Sequence, residues 1–324
     1  MILNTPLFKS VSAIAAAFFV TCNAWALEPR EMYAAMKTGA CTPNSELLHE
    51  QAVNGVVEAQ LEFGRAINQN LCGVVESWSP GMPEDWFRKA AEQGNAEAQA
   101  ELGKELVGNW TVEGEDEGVY WCLKAIEQGN AAAQFSLAQV YHRGGLSIHN
   151  LKDMNKALQY YNQSAAQGNV SAYMLLGGIY EEGKEVPEDS AVAAQWYRKA
   201  AEAGDSYGQL NLADMIAEGR GVSRDDKEAF AWYSKSAAQG NDVSQYRMGR
   251  MLEQGVGTTR NERKAAQLYQ QAAEAQFGKA QLALGKMYAA GRGGLPKSKA
   301  KAKYWIIKAI DRGAPQAKEE LQKL

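Results

Sequence analysis

The chain has 324 residues, a formal net charge of −4, 46% hydrophobic residues and 22% charged residues. That balance excludes disorder, collagen and a multi-span membrane protein. The mild acidity, with no run of five or more basic residues, argues against a nucleic-acid partner, because phosphate neutralisation needs clustered Lys and Arg.

Residues 1–26 read as a secretory signal of bacterial type, with Lys9 as the positive flank and an apolar run from Val11 to Val20. That run is too short to span a bilayer. Ala24-Trp25-Ala26 has the small-x-small form of a cleavage site, so no stable membrane insertion is expected after cleavage. Cys22 lacks the Leu-small-small lead of a lipoprotein signal. The destination is the periplasm or the exterior.

Residues 27–45 form a lead-in, and 46–324 a repeat array. Three cysteines remain: Cys41, Cys72 and Cys122. The compartment is oxidising and permits a disulfide. Cys41 and Cys72 bracket one helical hairpin and are the expected pair, while Cys122 falls among helix core positions. There is no Cys-x-x-Cys or His-x-x-x-His, and His49, His142 and His149 are scattered, so neither a metal nor another cofactor is expected.

Aligned on the residue that follows a small-residue pair, the repeat anchors are Gly55, Gly94, Gly129, Gly168, Gly204, Gly240, Gln276 and Gly313, spaced by 39, 35, 39, 36, 36, 36 and 37 residues. So constant a period marks a solenoid, in which each unit presents the same face to the next. After each anchor a helix A carries Phe63, Leu102, Leu137, Leu176, Leu212, Met248 or Leu284, followed by Gly or Ala. A mid-helix Gly costs about 1 kcal/mol; its recurrence implies a neighbour too close for a larger side chain. Helix A ends near Asn70, Asn109, Gly144, Gly183, Gly219, Gly255 and Gly291, residues that tolerate a left-handed C-terminus.

Helix B then starts on Ser79, Gly114, Asp153, Asp189, Asp225, Asn261 or Ser298 as N-cap. It carries an aromatic at Trp86, Trp121, Tyr160, Trp196, Trp232 and Trp305, with Leu268 in the remaining slot. The fixed register assigns these aromatics, with Tyr141, Tyr180 and Tyr288, to the core. Trp232 is expected between helices beside Ala229, Ala237 and Ala238. The acidic stretch Glu113–Glu117 reads as a solvated loop, and Gly219-Arg220-Gly221 and Gly291-Arg292-Gly293-Gly294 read as turns rather than phosphate loops.

This register resembles the Sel-1-like repeat family, relatives of the tetratricopeptide repeat, with the pattern A-x-x-W-Y-x-K-A-A-x-x-G-x-x-x-A-Q-x-x-L-G-x-x-Y-x-x-G-x-G-V over about residues 45 to 324. The resemblance implies an all-α, α/α superhelical solenoid of about seven helical-hairpin repeats used for protein–protein contact, often in bacterial envelope assembly, secretion or host interaction. Gln276, Leu268 and the stretch Val107–Glu117 depart from the pattern, and looser packing or altered curvature is expected there.

No nucleophile, base and oxyanion donors can be grouped from spacing, so no enzyme is expected. By analogy with tetratricopeptide units, helix A lines the concave side. The positions that vary there select Phe135, His142, Met174, Glu181, Tyr207, Asp214, Tyr246 and Arg250 as partner-binding candidates. The row Phe135, Met174, Leu210, Tyr246 and Leu282 is apolar, and has two readings: a groove for a peptide or a partner helix, or packing between successive helices A. The function expected is a monomeric, non-enzymatic scaffold of the bacterial envelope that binds a protein or peptide. Two alternatives stand beside it: a secreted factor binding host proteins, and a β-lactamase-like enzyme of the cysteine-rich relatives.

Overall fold

The computed structural model describes residues 27–74, 81–109, 111–145 and 152–324. The signal segment 1–26, the Ser79 cap and His149 lie outside the described residues. Among the described residues the chain forms seventeen α-helices and no strand. They fall into two compact units, one ending at Gln167 and the other running Gly168–Leu324. The first unit holds α1 (Pro29–Lys37), α2 (Asn44–Val53), α3 (Val57–Asn68), α4 (Pro83–Glu92), α5 (Ala96–Gly108), α6 (Val112–Glu127), α7 (Ala131–Arg143) and α8 (Met154–Ala166). The second holds α9 (Val170–Glu182), α10 (Ser190–Glu202), α11 (Ser206–Glu218), α12 (Asp226–Ala238), α13 (Asp242–Gln254), α14 (Glu262–Glu274), α15 (Gly278–Ala290), α16 (Lys299–Asp311) and α17 (Ala317–Gln322). Within each unit every helix packs on the next, giving an all-α solenoid of helical hairpins.

Capping sets the helix starts. Asp153, Asp189, Asp225, Asn261 and Ser298 accept N–H bonds from the first turns of their helices B. Helices A use a second set absent from the sequence reading: Asn95, Asn130, Asn169, Asp205 and Asn241, each directly after an anchor glycine. The glycine anchors have φ between 67° and 93°, and Gln276 takes the same left-handed conformation at φ 70°. A side chain there costs about 1–2 kcal/mol. Asn109, by contrast, ends α5 in a right-handed conformation.

Gly114 is not a cap. Thr111 caps α6 and accepts the Gly114 N–H at 3.1 Å, so Glu113–Glu117 is helix rather than loop. Acidic residues suit a helix N-terminus, where the macrodipole is positive. Glu115 is buried and paired with Arg143 at 3.0 Å. Nor is the packing loose here. A Cβ on Gly103 would lie 2.6 Å from Cys122 Sγ, and one on Gly118 2.7 Å from Val107. Around Gln276 the core likewise runs on through Tyr269, Ala272, Ala273, Ala280 and Leu284.

The core column lies one residue beyond the tryptophans. Phe87, Cys122, Tyr161, Tyr197, Tyr233, Tyr269 and Ile306 are buried. A Cβ on Gly64, Gly177 or Gly249 would meet the rings of Phe87, Tyr197 or Tyr269 at 2.5–2.7 Å, which is why glycine recurs in helix A. Trp86 is buried too, but Trp121, Trp196, Trp232 and Trp305 are half-buried at the flank, as are Tyr141 and Tyr180, whereas Tyr288 is buried. Trp232 packs against the core edge beside buried Ala229, but Ala238 is exposed. Its indole donates to Glu228 at 3.2 Å, and Lys235 lies 3.8 Å from its ring.

A polar ladder joins successive hairpins. Buried Gln60, Gln99, Gln209 and Gln281 donate to the carbonyls of Ala52, Ala91, Ala201 and Ala273. Gln60, Gln99, Gln134 and Gln209 accept from Gln93, Gln128, Gln167 and Gln239 at 2.8–2.9 Å. Cys41 and Cys72 form a disulfide with Cα atoms 5.4 Å apart, over a core of Met32, Met36, Leu48, Phe63 and Trp86. Cys122 is buried, and burial pushes its thiol up to about 12, which leaves it unreactive.

Candidate functional site

Each unit presents its own helix-A face. In the first unit Phe135 lies 5.7 Å from the Tyr161 ring, and His142 Nδ1 is 3.3 Å from the Tyr161 hydroxyl. Both candidates therefore surround a core tyrosine.

In the second unit the candidates divide. Tyr197 donates its hydroxyl to Glu181 at 2.7 Å, and Arg220 reaches the same carboxylate at 2.6 Å. Burial alone would raise the Glu181 carboxyl; the Tyr197 hydroxyl and Arg220 outweigh it and hold it below the usual carboxylate range. Tyr233 donates to Asp214, which Arg247 approaches at 3.2 Å. Glu253, on the same helix-A face, repeats the pattern, accepting from Tyr269 at 2.8 Å and pairing with Arg292 at 3.1 Å. Each of these three buried phenols thus finds an acceptor, and a turn or helix arginine balances the charge. Arg220 and Arg292 belong to the two glycine-rich turns, so these turns carry internal ion pairs. Glu262, held by Arg292 and Arg260, has its carboxyl lowered to about 2.

Of the apolar row in this unit, Leu210 is buried, and Met174 and Leu282 are half-buried against core clusters. Packing is therefore the main role of those residues. Tyr207 is 62% exposed. Tyr246 is half-buried between Tyr269 and Phe277, at ring distances of 5.8 and 5.4 Å. Beside it a cleft of about 190 Å³ is lined by Tyr246, Arg247, Arg250, Lys279, Leu282 and the 315–316 turn. The structure thus brings Tyr246 and Arg250 together and adds Lys279 and Arg247, which are not among the selected candidates. Lys279 holds the column of Tyr207, and Arg247 directly follows Tyr246, so a charge tally along helix A would have found both. Neither Arg250 nor Lys279 forms an ion pair among the described residues, and no acidic side chain lines the cleft. Such a site suits a partner carrying carboxylates beside an apolar group.

Among the described residues no group of His, Cys, Asp and Glu could hold a metal ion, and no helix is long and apolar enough to cross a membrane.

The sequence profile of the Sel1 repeat matches residues 84–95, 96–130, 131–169, 170–205, 206–241, 242–277 and 278–313. Among solved structures, a protective antigen present in uropathogenic Escherichia coli strains, displaying an SLR fold, is 31% identical over 93% of this chain, with a TM-score of 0.70. The chain spans 65% of the length of that protein. A Sel1 repeat protein from Oxalobacter formigenes is 26% identical, over 77% of this chain and 96% of the other, with a TM-score of 0.58. No curated protein matches the chain.

Proposed function

We propose, from the premise that the chain belongs to the Sel1 repeat family, that it is a monomeric, non-enzymatic scaffold whose helix-A faces hold a protein or peptide partner. Sel1 repeat proteins are generally protein-interaction scaffolds. We read the repeat array as 46–324, which includes the hairpin upstream of the matched residues. We also read 1–26 as a signal that delivers the protein to the periplasm or beyond; the Cys41–Cys72 disulfide supports an oxidising compartment.

The observation that carries the reading is the cleft at Tyr246. It joins an aromatic to Arg250 and Lys279, neither of which forms an ion pair among the described residues, and aromatics and Arg are the residue types that most often dominate interface energetics. Phe135, His142, Met174, Glu181, Tyr207 and Asp214 remain candidate contacts, with Glu181, Asp214 and His142 also serving core tyrosines. Replacing Arg250 and Lys279 together by Ala should weaken a partner captured from envelope extracts by at least about tenfold, or about 1.4 kcal/mol. The melting temperature should barely change. Unchanged affinity, with loss instead on altering Arg198 or Lys235 of helices B, would place the site on the other side. A second reading, a secreted factor that binds host proteins, draws on the likeness to the uropathogenic antigen. It requires the protein in culture supernatant or on the cell surface.

A further inference from the structure

Charge is unevenly distributed along the chain. Residues 278–313 hold nine Lys or Arg and one acidic residue, Asp311, while all other residues together hold twenty-five basic and thirty-seven acidic side chains. Five of the nine, Lys297, Lys299, Lys301, Lys303 and Lys308, lie on α16 or just before it. The inward side of this helix is fixed by Ala302, Ile306 and Ala309, all buried. At 3.6 residues per turn, Ala300, Tyr304 and Ile307 then form a stripe facing away from the core. Tyr304 is 52% and Ile307 47% exposed. Lys299 and Lys303 border the stripe on one side, Lys301 and Lys308 on the other, and Asp311 ends it. Lys308 lies 5.0 Å from the Tyr304 ring and Lys301 5.2 Å from that of Tyr288, and none of the five lysines forms an ion pair among the described residues.

We propose that this face of α16 docks the protein onto an anionic phospholipid surface. A narrow apolar stripe with lysines on both sides is the arrangement that lets a helix lie in the plane of an interface. The stripe enters the boundary between headgroups and acyl chains, and the lysines meet the phosphates. The charges are ammonium groups on flexible stems rather than guanidinium forks, which suits a fluid array of phosphates better than a partner of fixed geometry. No span is inserted, and the helix-A cleft at Tyr246 stays available, so the proposal stands independently of the scaffold reading.

The test is co-sedimentation of the purified chain with vesicles of three parts phosphatidylglycerol to seven of phosphatidylcholine, compared with phosphatidylcholine alone. Binding is expected on the anionic vesicles only, with most of it lost when NaCl rises from about 50 to about 500 mM. Lys299→Glu with Lys303→Glu should weaken it at least about tenfold, and Tyr304→Ser with Ile307→Ser by about fivefold. All four side chains are exposed, so melting should be unchanged, and Arg250→Ala with Lys279→Ala should bind vesicles normally. In a Tyr304→Trp variant, emission compared with the parent should gain a blue-shifted component on vesicles. Absence of binding by the parent, equal binding by the double Glu variant, or capture of short DNA or an acidic peptide but not vesicles would each overturn the proposal.

Discussion

In the second unit, α9 to α14 and α16 each begin on a side-chain cap, and each of the buried tyrosines Tyr197, Tyr233 and Tyr269 rests against a helix-A carboxylate. At the start of the first unit, α2 and α3 have no side-chain cap. Order there comes from other sources: the Cys41–Cys72 bridge, a methionine-rich core, and a lattice in which Arg65 joins Glu62, Glu97 and Glu101 while Arg30 joins Glu58 and Glu97. An interior repeat has matching neighbours on both sides and is stabilised by repetition. A hairpin at the edge of the array has one such neighbour, and a covalent closure with dense ion pairing makes up the difference.

The strongest test of this contrast removes a core ring from the regular region. Tyr269→Ala should cost about 3–5 kcal/mol, since it empties the space facing Gly249 and removes the hydroxyl that donates to Glu253. Calorimetry should show the second unit melting separately, at lower temperature. Trp232→Ala, at the flank of the core, should cost markedly less; equal losses would place the core on the tryptophan column after all. Next in size is the first hairpin. Replacing Cys41 and Cys72 by Ser should cost about 3 kcal/mol, from reopening a loop of about 30 residues in the unfolded chain. Hydrogen exchange should rise in α1–α3 and stay level in α9–α16; uniform loosening would contradict the division of labour.

A smaller effect is expected at Glu181, whose carboxyl is held low in the folded chain. Its contribution is present above the ordinary carboxylate pKa and lost as pH falls through the lower folded value. Glu181→Gln should therefore cost about 1 kcal/mol at pH 7 and flatten the acid limb of the stability curve. Smallest, and opposite in sign, is Gln276→Gly. Removing a side chain from a left-handed residue should stabilise by about 0.5–1 kcal/mol, net of the entropy of the added glycine. A loss of stability would mean that Gln276 makes compensating contacts.

The period, the hairpin division and most helix-B caps were legible, because each depends on one residue type recurring at one spacing. The depth of the aromatics was not. Trp is the larger apolar residue, yet the position after it, one-quarter turn round the helix, points into the gap left by the glycine of helix A. Leu268 held the clue: where Trp is missing, Tyr269 remains. The Glu113–Glu117 stretch was misread because composition suggested solvent, while the Thr111 cap and the helix dipole favour helix there. In the candidate site, choosing positions that vary found Tyr246 and Arg250, but it could not separate them from Glu181 and Asp214. Those two vary in sequence yet hold buried phenols, a distinction that only side-chain geometry makes.

The flank tryptophans make the chain a row of optical thermometers. Trp86, Trp196 and Trp232 each carry a lysine ammonium 3.8–4.0 Å from the ring, three residues further along the helix. Trp86, only 5% exposed, should emit at shorter wavelength than half-buried Trp196, which stacks on Tyr173, and half-buried Trp232, which donates to Glu228. With all tryptophans but one replaced by Phe, each variant would report by colour when its own repeat opens. The order of opening along the chain could then be read one hairpin at a time.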